Sequence, residues 1–456
     1  MTKYVVYTLY TVLLSTSVIL PQIASVAMIL MICFNVLIYF SLKKYSGLAL
    51  FSSFLMPGEV FPIINFVLGL IMQRKAKVKF KARVGQLPLL ALILAYSLIN
   101  SVLHDTIPNF LFSIIYLGII YYVIRMSSEV IESNAIVEYM KPFVVIEFLI
   151  TLMIILKYRT IKPGDEFSGS MSSAHWLGNW LIVALILFCF HDNSTNKIKF
   201  SMKAVKKRLV YILLLLVMIY LSDAKSLLIA LGIGTIGYIV FEKRNAHKYS
   251  FMIFLIAFCA CLFALFAVLY SEPVKNYISK ASKLLGLYLY GDGWNGKFDY
   301  IRGTLLEELQ SARLLLGFGL GQYGSRVANL FAYDVMWRSD NGINNMVAAL
   351  FKPHWIPQYV QYVRYYNADF VSQIGWRSAV LSYPFNSITA MIAETGIIGV
   401  IFFSKVFNSY VKESECKILA YYFAVACFFD LYFDNFPCVA IIIFVILNTR
   451  VKRGRR

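Results

Sequence analysis

WLGNWLIVALILFCFHDNSTNKIKFSMKAVKKRLVYILLLLVMIYLSDAKSLLIALGIGTIGYIVF, residues 176–241, decides which solvent this chain folds in. Its apolar runs, 176–190, 209–222 and 226–241, are separated by a basic stretch, KIKFSMKAVKKR (197–208), and by a tight corner, LSDAKS (221–226). A bilayer core about 30 Å thick needs roughly 20 apolar residues per helix, and runs of this kind recur along almost the whole chain. None shows the apolar/polar alternation of a barrel strand. Lipid cannot satisfy an open backbone, so the runs must be helices.

Composition agrees. Hydrophobic residues make up 59% of the 456 positions and the mean hydropathy is +0.69, far above the apolar share of a soluble domain. The formal charge of +19 is carried largely by short Lys/Arg clusters between apolar runs. That pattern marks cytoplasmic loops and not a nucleic-acid surface. All seven cysteines fall in or beside apolar segments, which excludes a disulfide framework or a Cys-based zinc site in the long polar stretch 272–383. With five histidines and none partnered at metal-binding spacing, neither metal nor cofactor is expected. The N-terminal run lacks a small-x-small cleavage site and reads as a retained first span.

Working outward, apolar runs fall near 4–20, 22–40, 48–72, 87–103, 110–124, 143–156, 251–270, 385–404, 416–433 and 437–449, besides those quoted. With the basic tail RVKRGRR in the cytoplasm, QRKAKVKFKARVGQ (73–86) and 197–208 also fall inside. Segments 104–109, 158–175, 222–226 and 272–383 then fall outside. Lys43 and Lys44 conflict with strict alternation. Run 48–72, interrupted by Pro57, Gly58, Glu59 and Pro62, resolves the conflict if it is a re-entrant segment or a doubled hairpin. The expected fold is an all-α polytopic membrane protein of about 12–14 transmembrane helices with one long, partly helical outside loop. Its parts are an N-terminal bundle (1–271), the loop (272–383), and C-terminal helices with a basic tail (384–456). No repeat is visible, and the asymmetric position of the loop argues against a transporter of two similar halves.

Within the loop, KFDYIRGTLLEELQSARLLLGFGLGQYGS (297–325) begins as an amphipathic helix with Phe298, Ile301, Leu305, Leu309 and Ala312 on one face. Gly317 ends it, and Gly319, Gly321 and Gly324 follow in a flexible turn. The glycines follow a helix and not a strand, so they do not make a dinucleotide site. The loop also holds Arg302, Arg313, Arg326, Arg338, Arg364 and Arg377, and Trp294, Trp337, Trp355 and Trp376. Arginine forks bind phosphate oxygens and aromatic faces pack on sugar rings, so the set suits a glycosyl diphosphate or, more simply, a solvated loop with interfacial aromatics. YVQYVRYYNADF (359–370) reads as a segment lying along the membrane surface.

Two ionisable residues lie near membrane depth. Lys225, beside Asp223 in the outside corner, is either functional or a snorkelling interfacial lysine. Glu394, within PFNSITAMIAETGIIGVIFF, is either an interhelical hydrogen-bond anchor or a catalytic group. His175 and Asn179 stand one helical turn apart at the entry to a span and share a face, where His175 is a substrate contact or a helix-end residue.

The ordered set SGSMSSAHWLGNW (168–180), SDAKSLLIALG (222–232), YIRGTLLEELQSARLLLGFGLGQYGS (300–325) and FNSITAMIAETGIIG (385–399) resembles the bacterial O-antigen polymerase and O-antigen ligase superfamily. The likeness spans 164–404. It implies a GT-C-like fold in the bacterial cytoplasmic membrane and a glycosyltransferase active site facing the periplasm or exterior. It also implies an undecaprenyl-diphosphate-linked oligosaccharide as donor and acceptor, with no required metal. By that resemblance Arg302 corresponds to the loop arginine that binds diphosphate. Lys225 stands where the family often has arginine, and Glu394 and Gly396 match a Glu-x-Gly pair. Ligase-type members carry His-Asn where this chain has Phe385 and Asn386, which turns the reading toward the polymerase.

The expected diphosphate-binding residues are therefore Arg302, Lys225, Arg326 and Arg377, and the expected sugar contacts are His175, Asn179, Tyr323, Trp337 and Asn386. The general base is open among Glu394, His354, Asp334 and Asp340. A chain-length regulator and a flippase are the protein partners such an enzyme implies, alongside membrane lipid. The rival readings are a glycan ligase, which moves finished polymer to a lipid or protein acceptor, and a flippase, which makes no glycosidic bond.

Overall fold

The computed structural model describes residues 3–58, 60–72, 87–127, 133–164, 166–171, 173–192, 197–198, 202–222, 224–241, 305, 312–323, 325, 327, 387–412, 414–429 and 435–449. In chain order the helices are α1 (Lys3–Ile19), α2 (Ala24–Ser41), α3 (Ser46–Phe51), α4 (Val60–Met72), α5 (Leu87–Leu103), α6 (Ile107–Ser127), α7 (Ser133–Tyr158) and α8 (Ala174–Phe190). They continue as α9 (Met202–Lys207), α10 (Leu209–Leu221), α11 (Lys225–Phe241), α12 (Ala312–Leu316), α13 (Ser387–Val411), α14 (Lys417–Phe429) and α15 (Phe436–Asn448). The extended structure among these residues is one antiparallel ladder, β1 (His191–Asp192) with β2 (Lys197–Ile198). It closes the connection between α8 and α9.

Three helices, Pro21–Ser41, Ala135–Tyr158 and Ser387–Val411, are long and apolar enough to cross a membrane, and shorter apolar helices of 10–17 residues accompany them. The expected run 251–270 and most of the loop 272–383 lie outside the described residues.

The bundle is patterned inside out relative to a water-soluble protein. Leu37, Phe40, Leu103, Leu156 and Val210 are all more than half exposed, whereas Asn35, Asn65, Glu147 and Glu394 are buried. Apolar side chains facing outward with polar ones bonded inside is the arrangement a lipid solvent favours, because an unpaired polar group in hydrocarbon has no water to turn to. Centrally, α15 and α8 pack on each other. In α8 every residue from Leu177 to Phe190 is buried. A helix that is apolar all round can be covered only by other helices, and that places these two in the core.

Run 48–72 is broken as its prolines and Gly58 predict. Helix α3 passes into a 3-10 turn at Ser52–Leu55 and the chain returns through α4. The short α3 segment is buried from Gly47 to Phe51, packed against α2, α4 and α7, and Phe51 and Phe66 meet Phe444 of α15 edge-on at 5.5 and 6.1 Å. A polar knot holds the hairpin. Asn35 accepts from the Tyr10 hydroxyl and donates to Asn65 Oδ1 at 2.9 Å and Ser52 Oγ at 3.0 Å, while Asn65 donates to Ser53 Oγ at 2.7 Å. The four segments that supply these groups cannot separate without stranding amides in hydrocarbon.

Elsewhere in the core Arg208, 2% exposed, donates to the carbonyl of Phe188 at 3.1 Å. A cation at the end of α8 meets carbonyls that the helix itself leaves unpaired.

Replacing Asn35 with Leu keeps the volume and removes the centre of the knot. The midpoint of thermal unfolding in detergent is expected to fall by the equivalent of about 1–2 kcal/mol. An unchanged midpoint would show that the α3–α4 hairpin is held by apolar packing alone.

Candidate functional site

The site is built around a break in α13. Gly396 has φ 63° and ψ −170°, values no regular helix contains. A regular helix would commit the carbonyls of Ala393 and Glu394 to the amides of Ile397 and Ile398. Here they accept instead from the amides of Phe318 at 2.7 Å and Gly319 at 2.9 Å. The glycine segment that follows α12 thus lies directly on the interrupted helix.

Glycine is required at the closest points. A Cβ on Gly317 (φ 74°) would run into the backbone of Ala393 and Glu394, and one on Gly396 would strike the backbone of Leu315 and Leu316. Both positions also have left-handed backbone, which L side chains resist.

The side chain of Glu394 completes the union. Its Oε2 accepts the Gly321 amide at 3.0 Å, and its Oε1 accepts the amides of Tyr323 and Ser325, each at 3.0 Å. Alternate amides converging on one carboxylate form an anion-binding nest, and the anion it holds belongs to the protein itself. Glu394 is 5% exposed and has no cationic partner among the described residues. Charge-assisted bonds from the backbone are what make its burial tolerable.

The rest of the glycine segment is tied to α5 and to the turn before α6. Tyr96 donates to the carbonyl of Gly317 at 3.0 Å and Asn100 to that of Phe318. Ser97 Oγ accepts the Leu320 amide at 3.2 Å, Asn109 donates to the Gly321 carbonyl at 3.1 Å, and Gln322 donates to Thr106 Oγ1 at 2.8 Å. Leu320 is buried with Ile93 and Phe110. The turn that its glycines mark as flexible is instead fixed at nearly every residue from 317 to 325. Sequence offered no signal for Ser97, Asn100, Asn109 or Gln322, which are ordinary polar residues until the fold brings them under this loop.

The loop also contains a buried aromatic stack. The Phe318 ring lies on that of Tyr323 with centroids 4.7 Å apart and planes 15° from parallel. The Arg313 guanidinium lies 4.7 Å above the centre of the Phe318 ring.

A second buried glutamate repeats the device elsewhere in the bundle. Glu147 of α7 accepts the Ser170 amide at 3.1 Å and the Ser170 hydroxyl group, and that hydroxyl oxygen is 2.7 Å from the carbonyl of Leu55 at the end of the 3-10 turn. This fastens SGSMSS, the lead-in to α8, to two other segments. Glu147 escaped the reading of the sequence although its position inside apolar run 143–156 carries the same signal that singled out Glu394.

Of the expected site residues, Glu394 and Tyr323 are brought together by the loop, and Tyr323 is fully buried beneath Phe318. Asn179 is buried and its Oδ1 accepts from the Tyr422 hydroxyl of α14 at 2.9 Å. His175 is half-buried one turn earlier on α8. Lys225 is the first residue of α11. Arg302, Arg326, Arg377, His354, Asp334, Asp340, Trp337, Asn386 and Asp223 lie outside the described residues. Among the described residues no group of three or more His, Cys, Asp or Glu side chains is placed to hold a metal ion.

Fold and site together define a protein that is almost entirely helical among its described residues, with three helices long and apolar enough to cross a membrane and a glycine loop locked onto one of them by a buried glutamate. No protein-family model matches the chain, and no curated protein matches it in sequence.

The lock can be tested by amide exchange. Glu394→Gln keeps one oxygen and turns an amide group toward a loop N–H. Exchange at Gly321, Tyr323 and Ser325 is expected to accelerate about tenfold, and in Glu394→Ala about a hundredfold. Gly396→Ala is expected to release the same amides without touching the carboxylate. Protection that survives in all three variants would show that the loop is held from α5 and α6 alone.

Proposed function

We propose that this protein is a membrane glycosyltransferase that polymerises undecaprenyl-diphosphate-linked oligosaccharide repeat units. The observation that supports the reading most is the lock on Glu394. Two of the stretches that carry the family resemblance, 300–325 and 385–399, lie far apart in the chain, with Gly321 and Glu394 separated by 73 residues, and they meet as one hydrogen-bonded unit. The stretch 168–180 is likewise fastened to the bundle by its own buried glutamate. In this reading the bundle is GT-C-like with twelve to fourteen crossings, and these junctions face the periplasm or exterior of a bacterial cytoplasmic membrane.

The acceptor hydroxyl of one lipid-linked unit attacks the anomeric carbon of the sugar chain carried on another. The bond from that carbon to the diphosphate oxygen breaks, undecaprenyl diphosphate leaves, and the hydroxyl proton passes to a base. Negative charge grows on the departing diphosphate, so fixed cations there contribute the largest share of rate. Arg302 and Lys225 take that role. Glu394 already accepts three amides and acts as the positioning residue for the loop, which leaves the base among His354, Asp334 and Asp340. A flippase that delivers the lipid-linked units and a regulator of chain length are the partners this reaction calls for.

Purified protein given lipid-linked repeat units in detergent is expected to yield a ladder of longer glycans still attached to undecaprenyl diphosphate. Arg302→Ala and Lys225→Ala, present at normal levels in the membrane, are each expected to lose about a hundredfold in rate and leave single repeat units. Full-length polymer from both variants, or no new glycosidic bond from the native protein, would overturn the proposal. Long chains accumulating on the carrier lipid when the protein is lost would identify a ligase instead.

A further inference from the structure

Arg313 is placed unlike an ordinary surface arginine. It is exposed, the central carbon of its guanidinium lies 4.7 Å from the centre of the Phe318 ring, and no acidic side chain pairs with it among the described residues. The ring beneath is itself immobile. Phe318 is 2% exposed, stacks on the fully buried Tyr323, and gives its amide to the carbonyl of Ala393. A ring beneath a guanidinium attracts its charge without taking its N–H donors, which can then serve phosphate oxygens.

The two residues that follow are apolar and open. Leu314 is 38% exposed and Leu315 53% exposed. Their level is set by the contact between Leu315 and Gly396, which lies nine residues into α13 from Ser387, about 14 Å along its axis. A guanidinium with no acidic partner among the described residues and two exposed leucines therefore occupy one short helix packed against the helix Ser387–Val411. A soluble anion has no use for the leucines, and a neutral lipid has none for the guanidinium. A phosphorylated lipid matches both.

We propose that Arg313, with Leu314 and Leu315, seats the membrane-borne lipid diphosphate, the guanidinium holding its phosphates and the leucines the first units of its prenyl chain. The inference rests on the polymerase reading and assigns its donor site a residue beyond the expected Arg302, Lys225, Arg326 and Arg377. Phe318 is the positioning residue. It carries no charge to the ligand and acts by holding the guanidinium over its ring.

The test measures binding of undecaprenyl diphosphate, undecaprenyl alcohol and inorganic pyrophosphate to the full chain in nanodiscs. Native protein is expected to bind the lipid diphosphate, with pyrophosphate competing weakly because it lacks the chain. Arg313→Gln is expected to weaken lipid diphosphate binding roughly tenfold and leave the alcohol unchanged, with Arg313→Lys intermediate because it keeps charge but loses the fork. Leu314→Ser with Leu315→Ser is expected to weaken both lipids and spare pyrophosphate. Unaltered exchange at Gly321, Tyr323 and Ser325 checks that the loop remains folded in each variant. If native protein binds and polymerises while Arg313→Gln binds the lipid diphosphate equally well, the inference about Arg313 is overturned and the polymerase reading stands. If native protein binds no lipid diphosphate at all, both are overturned.

Discussion

A carboxylate placed among apolar helices must be met by donors, and around Glu394 that requirement shapes everything nearby. Its two oxygens take the amides of Gly321, Tyr323 and Ser325, and those amides can converge only if the segment between them curls back on itself. The curl demands left-handed backbone at Gly317, Gly319 and Gly321. The nearness of the loop to α13 in turn demands that no Cβ project from Gly396, whose own dihedral angles break the helix and free two carbonyls for Phe318 and Gly319. Charge, glycine positions and helix break are therefore one constraint seen at three places. Remove the carboxylate, and the glycines become a liability with nothing to hold them.

Glu147 solves the same problem with different parts. It too lies in an apolar helix, and it too is met by a backbone amide and a hydroxyl from a glycine-containing segment that is not part of its own helix. The Ser170 hydroxyl passes the connection on to Leu55. Each glutamate thus turns an irregular segment among apolar helices into a fixed wall, which is tolerable in a lipid solvent only because the segment is buried in protein and its polar groups are paired. Neither carboxylate relies on a cation among the described residues. Under the proposed reading, with a diphosphate as ligand, that matters, since lysines and arginines committed to internal ion pairs are lost to a ligand.

The helices themselves were plain in the sequence because a bilayer-length apolar run has few other uses. Run 87–103 coincides with α5, and the break at Pro57 to Pro62 falls where the chain leaves the 3-10 turn and re-enters α4. Glu394 stood out for the same reason, as an ionisable residue where hydrocarbon was expected. The glycine string did not reveal its function locally, because GFGLG reads as a loose turn until a partner 73 residues away is known. The groups from α5 and α6 that hold it are serines, asparagines and a tyrosine at positions that any polar helix end contains. Their role comes from tertiary placement, which local pattern does not encode.

A lock of this kind has a consequence for chemistry at a membrane surface. In the proposed reaction, transfer between two lipid-linked glycans brings together large, flexible substrates, and the rate they reach depends on how little the protein must rearrange when the diphosphate begins to leave. A loop held at every residue from 317 to 323 keeps its outward groups at fixed positions before any substrate arrives. Arg313 is the described cation that benefits most directly, because the ring beneath it is clamped through Tyr323 to the same glutamate. Stability and preorganisation are then the same hydrogen bonds counted twice. The buried carboxylate, far from being an exposed reagent, is what holds the loop and its cation still.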